Sequence, residues 1–267
     1  MAKLHLSKAW DETRAALARD GKLYGAIALA LLALPATIFG TMAPEILLGG
    51  TPANQNLQLV FLFVLLLNAI GRIAISGLAL RAASVGEAIS HGLKRLMPVV
   101  GAFLLYVVPI ALVLVPFLPR VMAAPESPPP DALLASTLIL AVAFVVGVRL
   151  VLLLVPVAAA EAAGPIGLLK RSWQLTRGNW WRLTAFLTAF FLASILASRA
   201  LGYAVGGVLL VAAGPIKAMS LSSLILAAVL ALAGAAFTTV FSIMLARIYA
   251  QLAGPAHADV SVPSSGT

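Results

Sequence analysis

The sequence predicts an all-α fold, a polytopic membrane bundle of six transmembrane helices with three amphipathic interfacial helices. Three observations predict it. Of 267 residues, 62% are hydrophobic and only 10% charged, whereas a water-soluble domain keeps roughly a quarter of its residues charged. The mean hydropathy is +1.06, and the apolar runs reach the ~17–25 residues that cross a hydrocarbon core as a helix. Amphipathic stretches begin near Leu6, Val85 and Pro165, an interval of about 80 residues that predicts three parallel repeats.

The spans follow in order as Tyr24–Gly40, Leu57–Leu80, Val99–Leu118, Leu133–Ala160, Trp181–Ser198 and Leu221–Ile248. None has the strict alternation of a barrel strand. About twenty polar residues precede the first span and no small-residue cleavage site follows it, which predicts an uncleaved anchor. The membrane domain covers residues 1–253 in units 1–82, 83–162 and 163–253, and the Pro-, Ser- and Gly-rich tail 254–267 is expected to be disordered. Pro119–Asp131 reads as an outer-face loop because its prolines interrupt a helical ladder. Ala200–Ala213, with Gly202, Gly206 and Gly207, reads as a short re-entrant or surface segment or as a kinked extension of helix five, the former slightly preferred. Cysteine is absent, so disulfides and cysteine metal sites are excluded.

Each amphipathic stretch divides on a helical wheel. In the first, Leu6, Ala9, Trp10, Ala16 and Leu17 oppose Lys8, Asp11, Glu12 and Arg19. In the second, Val85, Ala88, Ile89, Leu93, Leu96 and Met97 oppose Glu87, Ser90, His91, Lys94 and Arg95. In the third, Ile166, Leu168, Leu169, Trp173 and Leu175 oppose Lys170, Arg171, Gln174 and Arg177. Pro165 suits the first turn of that helix and Gly178 the left-handed stop after it. A basic polar face beside apolar and tryptophan side chains is what an interfacial helix needs. The first and third stretches share W-x-x-T-R, Trp10-Thr13-Arg14 and Trp173-Thr176-Arg177.

The formal charge is +9, from 18 Lys and Arg against nine Asp and Glu. Thirteen of the 18 lie on one side of the predicted topology: Lys3, Lys8, Arg14, Arg19, Lys22, Arg81, Lys94, Arg95, Lys170, Arg171, Arg177, Arg182 and Arg247. Arg120, Arg199 and Lys217 lie opposite. The positive-inside rule then puts both termini in the cytoplasm. Because these charges hug helix ends and form no stripe on a soluble domain, nucleic acid is not the expected partner. Anionic membrane phospholipid is, with Lys94, Arg95, Lys170, Arg171, Arg177 and Arg182 as candidate headgroup contacts and Trp10, Trp173, Trp180 and Trp181 as interfacial anchors. The sequence leaves a protein partner or self-association open.

Inside the spans Asn68, Arg72 and Arg149 are the notable polar residues, with Arg247 near the end of the sixth. An intramembrane arginine is a functional candidate by default, although a long side chain can also snorkel to the headgroups. All nine acids lie in loops or at helix ends, and His5, His91 and His257 lie outside the spans, which argues against a proton relay. Metal spacing, a phosphate loop and paired carboxylates are all missing, so neither a catalytic residue nor a cofactor is expected. Glu161, where the fourth span ends, is placed to pair with Lys170 or Arg171 or to cap the helix that begins at Pro165; capping is the expectation, since the positive end of a helix dipole favours a carboxylate.

The stretch from Glu161 through Gly164-Pro165, Lys170-Arg171-Ser172-Trp173 and Thr176-Arg177-Gly178 to Trp181-Arg182-Leu183 resembles E-x-x-x-x-x-x-A-L-x-R-S-W-x-L-T-x-G-x-x-W-x-L. That pattern marks a bacterial family named for the membrane domain preceding the catalytic barrel of some glycerophosphoryl diester phosphodiesterases. Leu168 stands at the usual Ala, while Arg171, Ser172, Trp173, Leu175, Thr176 and Gly178 agree. Too little chain follows Ile248 for the barrel, so the resemblance implies a membrane module of a bacterial inner membrane and not a phosphodiesterase. The expected role is that of a non-enzymatic membrane protein contacting anionic headgroups. The alternatives are a small-solute or lipid transporter with Arg72 and Arg149 lining its path, or an accessory subunit of a membrane complex.

Overall fold

The computed structural model describes residues 4–47, 57–81, 83–123 and 129–254. These are helical and contain no strand. Six helical segments are long and apolar enough to cross a membrane: Leu6–Met42, Leu57–Leu80, Val85–Leu114, Pro130–Ala160, Trp180–Ala213 and Leu221–Ala253. The chain is thus a multi-pass membrane protein.

The first span is built from α1 (Leu6–Ile27), a π-helical turn (Ala28–Ala33) and α2 (Leu34–Met42). Pro35 has no N–H to give to the carbonyl four residues back and its ring crowds that carbonyl. The ladder widens just before it, and the Leu34 N–H reaches Leu29 O instead. After α3 (Pro44–Leu47), the second span is α4 (Leu57–Leu80). The third is α5 (Val85–Leu114), opened by a capping box in which Ser84 and Glu87 satisfy each other's N–H groups. α6 (Leu118–Ala123) follows within the stretch expected to be an outer loop; of that loop, residues 124–128 lie outside the described residues.

The fourth span is broken into α7 (Pro130–Leu150) and α8 (Leu154–Ala160). Pro156 explains the break, because the residue cannot bond to Leu152 and its ring collides with that carbonyl. α9 (Pro165–Thr176) begins on Pro165 and ends before Gly178, whose φ of 89° is the left-handed geometry that suits glycine. The fifth span is α10 (Trp180–Ala213) and the sixth α11 (Leu221–Ala253), which opens on a Ser220–Ser223 capping box.

Two expectations need correction. Residues 200–213 are not re-entrant: α10 runs through them for 34 residues, because glycines in an apolar context weaken a helix by only about 1 kcal/mol each and do not break it. The first two amphipathic stretches are not separate helices but the leading turns of the spans that follow, across a local departure at Asp20 (φ −118°, ψ 18°) and across Pro98 respectively. Only the third is free-standing. The expected tail from 255 onward lies outside the described residues.

Burial is uneven along the bundle. Buried residues crowd into Ile70–Ala79 of α4, Ala88–Ala102 of α5, Leu152–Ala159 around α8, Leu168–Leu187 of α9 and α10, and Ala235–Tyr249 of α11. With alternating span directions, these all lie at the end of the bundle that holds both termini, where His5 N–H donates to Gln251 Oε1 at 3.2 Å. The other halves of the spans expose Leu59–Leu65, Leu112–Val115, Leu138–Val145 and Leu192–Val211 in large part, as lipid-facing surface does. α11 packs on α1, α2, α4, α8 and α10 and contributes to both buried clusters. At the α4–α5 crossing the backbones come close at Gly92, where a Cβ would stand 2.8 Å from Ile70 O.

The two W-x-x-T-R segments take one local form. Thr13 and Thr176 are fully buried and each donates its hydroxyl to the carbonyl four residues before, at 2.7 and 3.0 Å. Trp10 and Trp173 stand at the surface.

Candidate functional site

Two polar places stand out on this apolar bundle. The first is at the terminal end, around α9. Glu161 is the residue just after α8, and its Oε1 accepts from Arg171 Nε at 2.8 Å and from the Tyr249 hydroxyl at 2.8 Å. It makes no cap on α9, whose N-cap residue is Gly164. The expected capping role is therefore replaced by an ion pair to the half-buried Arg171 and a hydrogen bond from the buried Tyr249. Beside it, Arg81 and His91 converge on the Ala159 carbonyl, His91 Nε2 at 3.1 Å; this is one of the last carbonyls of α8, left without a helical partner.

The break in the fourth span exposes another such carbonyl. Arg149 O accepts from Ser172 Oγ at 3.0 Å, with Thr176 Oγ1 at 3.3 Å. Both α9 hydroxyls are fully buried. The Arg149 guanidinium lies 3.5 Å from the centre of the Trp173 ring, a stacking cation–π contact. Thus α9 grips both ends of one residue and clamps a broken helix.

This burial corrects the wheel drawn from the sequence. Leu168, Ser172, Leu175 and Thr176 face the core, whereas Ile166, Lys170, Trp173 and Arg177, spaced four, three and four apart, share the exposed stripe. Ser172 and Thr176 go inward because only they can satisfy Arg149 O. On α5 the exposed stripe likewise mixes Leu93, Lys94 and Met97, while His91 and Arg95 are half-buried. Trp180 and Trp181 are exposed in an edge-on pair 5.7 Å apart. Arg182, also exposed, reaches Leu4 O at 3.4 Å. Of the six candidate headgroup contacts, Lys94, Lys170, Arg177 and Arg182 are exposed, Arg95 is half-buried and Arg171 is engaged by Glu161.

The second place is a cavity of about 580 Å³ among α4, α5, α7, α8, α10 and α11. Its rim carries Leu62, Leu65, Phe103, Leu104, Phe144 and Phe191, each about half exposed, so it opens on the bundle's flank. Asn68, Arg72 and Tyr106 are its polar lining residues, and the Tyr106 hydroxyl already donates to Ala143 O at 2.6 Å. Arg72 Nε is buried without a hydrogen-bond partner, and the guanidinium carbon lies 5.8 Å from the centre of the Phe241 ring. Phe241 is buried in the bundle, four residues from the middle of α11, so the guanidinium lies against the bundle's aromatic interior. Placing an arginine in the middle of a membrane helix costs ~2.5–3.5 kcal/mol, and a distant cation–π contact returns only about 0.5–1 kcal/mol.

No family model, curated protein or solved structure matches the chain.

Arg72 and Arg149 do not share a path. Arg72 lines the cavity, whereas Arg149, although flanked by the lining residues Val148 and Val151, turns to Trp173. Among the described residues no three His, Cys, Asp or Glu side chains group in a way that could hold a metal ion. Sequence reasoning missed Ser172, Thr176, Tyr249, Arg81 and the Ala159 carbonyl. The i, i+4 hydroxyl pair of α9 was a visible signal; nothing in the sequence ties Tyr249 to an acid 88 residues away.

Proposed function

We propose that the chain is a non-enzymatic protein of a bacterial inner membrane that holds anionic phospholipid at its cytoplasmic end. One observation carries this reading: exposed basic and large apolar side chains alternate on the same helical stripes, Leu93, Lys94 and Met97 on α5 and Ile166, Lys170, Trp173 and Arg177 on α9. A water-facing helix would segregate these types. A helix lying at the headgroup boundary mixes them, because its apolar groups enter the acyl region while its cations stay with the phosphates. The excess of Lys and Arg at the end holding the termini supports a cytoplasmic assignment for that end. The shared local form of the two W-x-x-T-R segments supports a common plan for the first and third units, and the resemblance of residues 161–183 to a phosphodiesterase membrane domain supports a membrane module without hydrolase activity.

Each basic residue near an anionic surface contributes about 1 kcal/mol, so Lys94, Lys170 and Arg177 together contribute about 3 kcal/mol of preference. Native mass spectrometry of the protein extracted with little delipidation is the test. Anionic phospholipid should be retained by the wild type and lost from Lys94/Lys170/Arg177→Gln. Equal retention by both proteins, or retention of zwitterionic lipid alone, would overturn the reading.

A further inference from the structure

We propose that the flank cavity is a binding site for a single-chain anionic amphiphile, a long-chain fatty acid, with its carboxylate on Arg72 and its tail along the apolar walls. The juxtaposition that carries this is a cation inside a pocket whose walls are mostly hydrocarbon. Arg72 Nε is buried and unpartnered, and the guanidinium's described neighbour is the Phe241 ring. The ion pairs among the described residues join Lys8 to Glu12, Arg19 to Asp20, Arg120 to Asp131 and Arg171 to Glu161; none reaches Arg72. A charge in such surroundings is stable only when paired and hydrogen-bonded. Among the described residues no carboxylate pairs with it, so the partner comes from outside.

The opening selects where it comes from. The rim is made of half-exposed Leu and Phe side chains on the lipid-facing flank, a route for a molecule already in the acyl layer and not for a hydrated ion from the aqueous phase. The volume selects its size. About 580 Å³ falls within the ~300–1,000 Å³ of small-ligand pockets and holds on the order of 20 water-sized units, which suits one acyl chain rather than two. The polar groups select its head. A guanidinium offers two parallel donors that match a carboxylate, and Asn68, one helical turn before Arg72 on the same wall, adds an amide. This inference is independent of the headgroup reading above, because the cavity shares no residue with the basic stripes.

The test measures binding of palmitate to the full-length protein in nanodiscs of zwitterionic lipid. Hexadecanol serves as the neutral analogue and phosphatidylglycerol as the two-chain anionic competitor. Wild type should bind palmitate saturably near one per chain. Arg72→Gln should weaken binding by at least about thirtyfold, with Arg72→Lys intermediate. Ala69→Phe, which fills the lining without touching the charge, should also abolish it, so the proposal does not hang on one variant. Hexadecanol should bind wild type and Arg72→Gln equally weakly. Absence of saturable palmitate binding, unchanged binding in Arg72→Gln, or displacement by phosphatidylglycerol at lower concentration than palmitate would each overturn the assignment. Lys94/Lys170/Arg177→Gln should leave palmitate binding intact, so failure of this inference and failure of the headgroup reading are separately visible.

Discussion

Ser172→Ala combined with Thr176→Val should cost more than the two single changes added together. Both hydroxyls serve one carbonyl, Arg149 O, at 3.0 and 3.3 Å, and both are inaccessible to solvent. A net protein hydrogen bond is worth about 0.5–1.5 kcal/mol. Removing the Ser172 hydroxyl should therefore cost about 1 kcal/mol, with Thr176 at hand to donate in its place. Removing the Thr176 hydroxyl alone should cost less, about 0.5 kcal/mol, because its single proton is already divided among the carbonyls of Arg149, Ser172 and Trp173. The double variant leaves a part-buried carbonyl with no side-chain donor, a penalty of about 1–3 kcal/mol in addition. The coupling energy should be about 1 kcal/mol or more, in the destabilising direction. The assay is a double-mutant cycle of denaturation in mixed detergent micelles, followed by tryptophan fluorescence, with Trp173 one residue from the change. Additivity within about 0.5 kcal/mol, the behaviour of independent sites, would refute the claim that α9 clamps the broken fourth span through this carbonyl.

Gly92→Ala should destabilise by about 1–3 kcal/mol in the same assay, since the new Cβ meets Ile70 O at 2.8 Å and a backbone atom cannot swing aside; Gly86→Ala on the same helix, with nothing within 4 Å, should stay within about 1 kcal/mol of wild type. Glu161→Ala should cost about 1–2 kcal/mol by thermal denaturation. That is more than a surface pair, because it strips both Arg171 and Tyr249, and less than the ~3–5 kcal/mol of a fully buried pair, because side chains that are 25% and 27% exposed are partly rehydrated.

The spans were legible because the constraint that makes them is one-dimensional. A segment in hydrocarbon must satisfy its own backbone, so length and apolarity alone nearly fix it as a helix. The same constraint blurs the ends. Apolar turns beyond the bilayer look like those inside it, which is why α10 runs on to Ala213 past a predicted end at Ser198. The interfacial faces were less legible. A wheel sorts residues by polarity, but α9 buries Ser172 and Thr176 against a carbonyl that becomes available only because Pro156 breaks a different helix. Glu161 was recognised as an unusual acid, yet its choice of Arg171 and Tyr249 over the helix end depends on where α11 lies, a fact about distant sequence. Arg72 was legible as an anomaly. Its separation from Arg149 was not, since equal depth along two helices leaves their rotation about the axis undetermined.

The central position of α11 has a consequence for how the protein is made. This helix supplies residues to both buried clusters and the hydroxyl of Tyr249 to Glu161, and it is synthesised after the other five spans. Roughly 77 residues separate the end of α9 from the end of α11, a delay of about 4–15 s at ~5–20 residues per second. At the start of that interval four spans surround an unfilled centre and the fifth joins them within it, while Glu161 lacks one of its two donors. Entry of the sixth span is the step that fills both buried clusters and brings Tyr249 to Glu161.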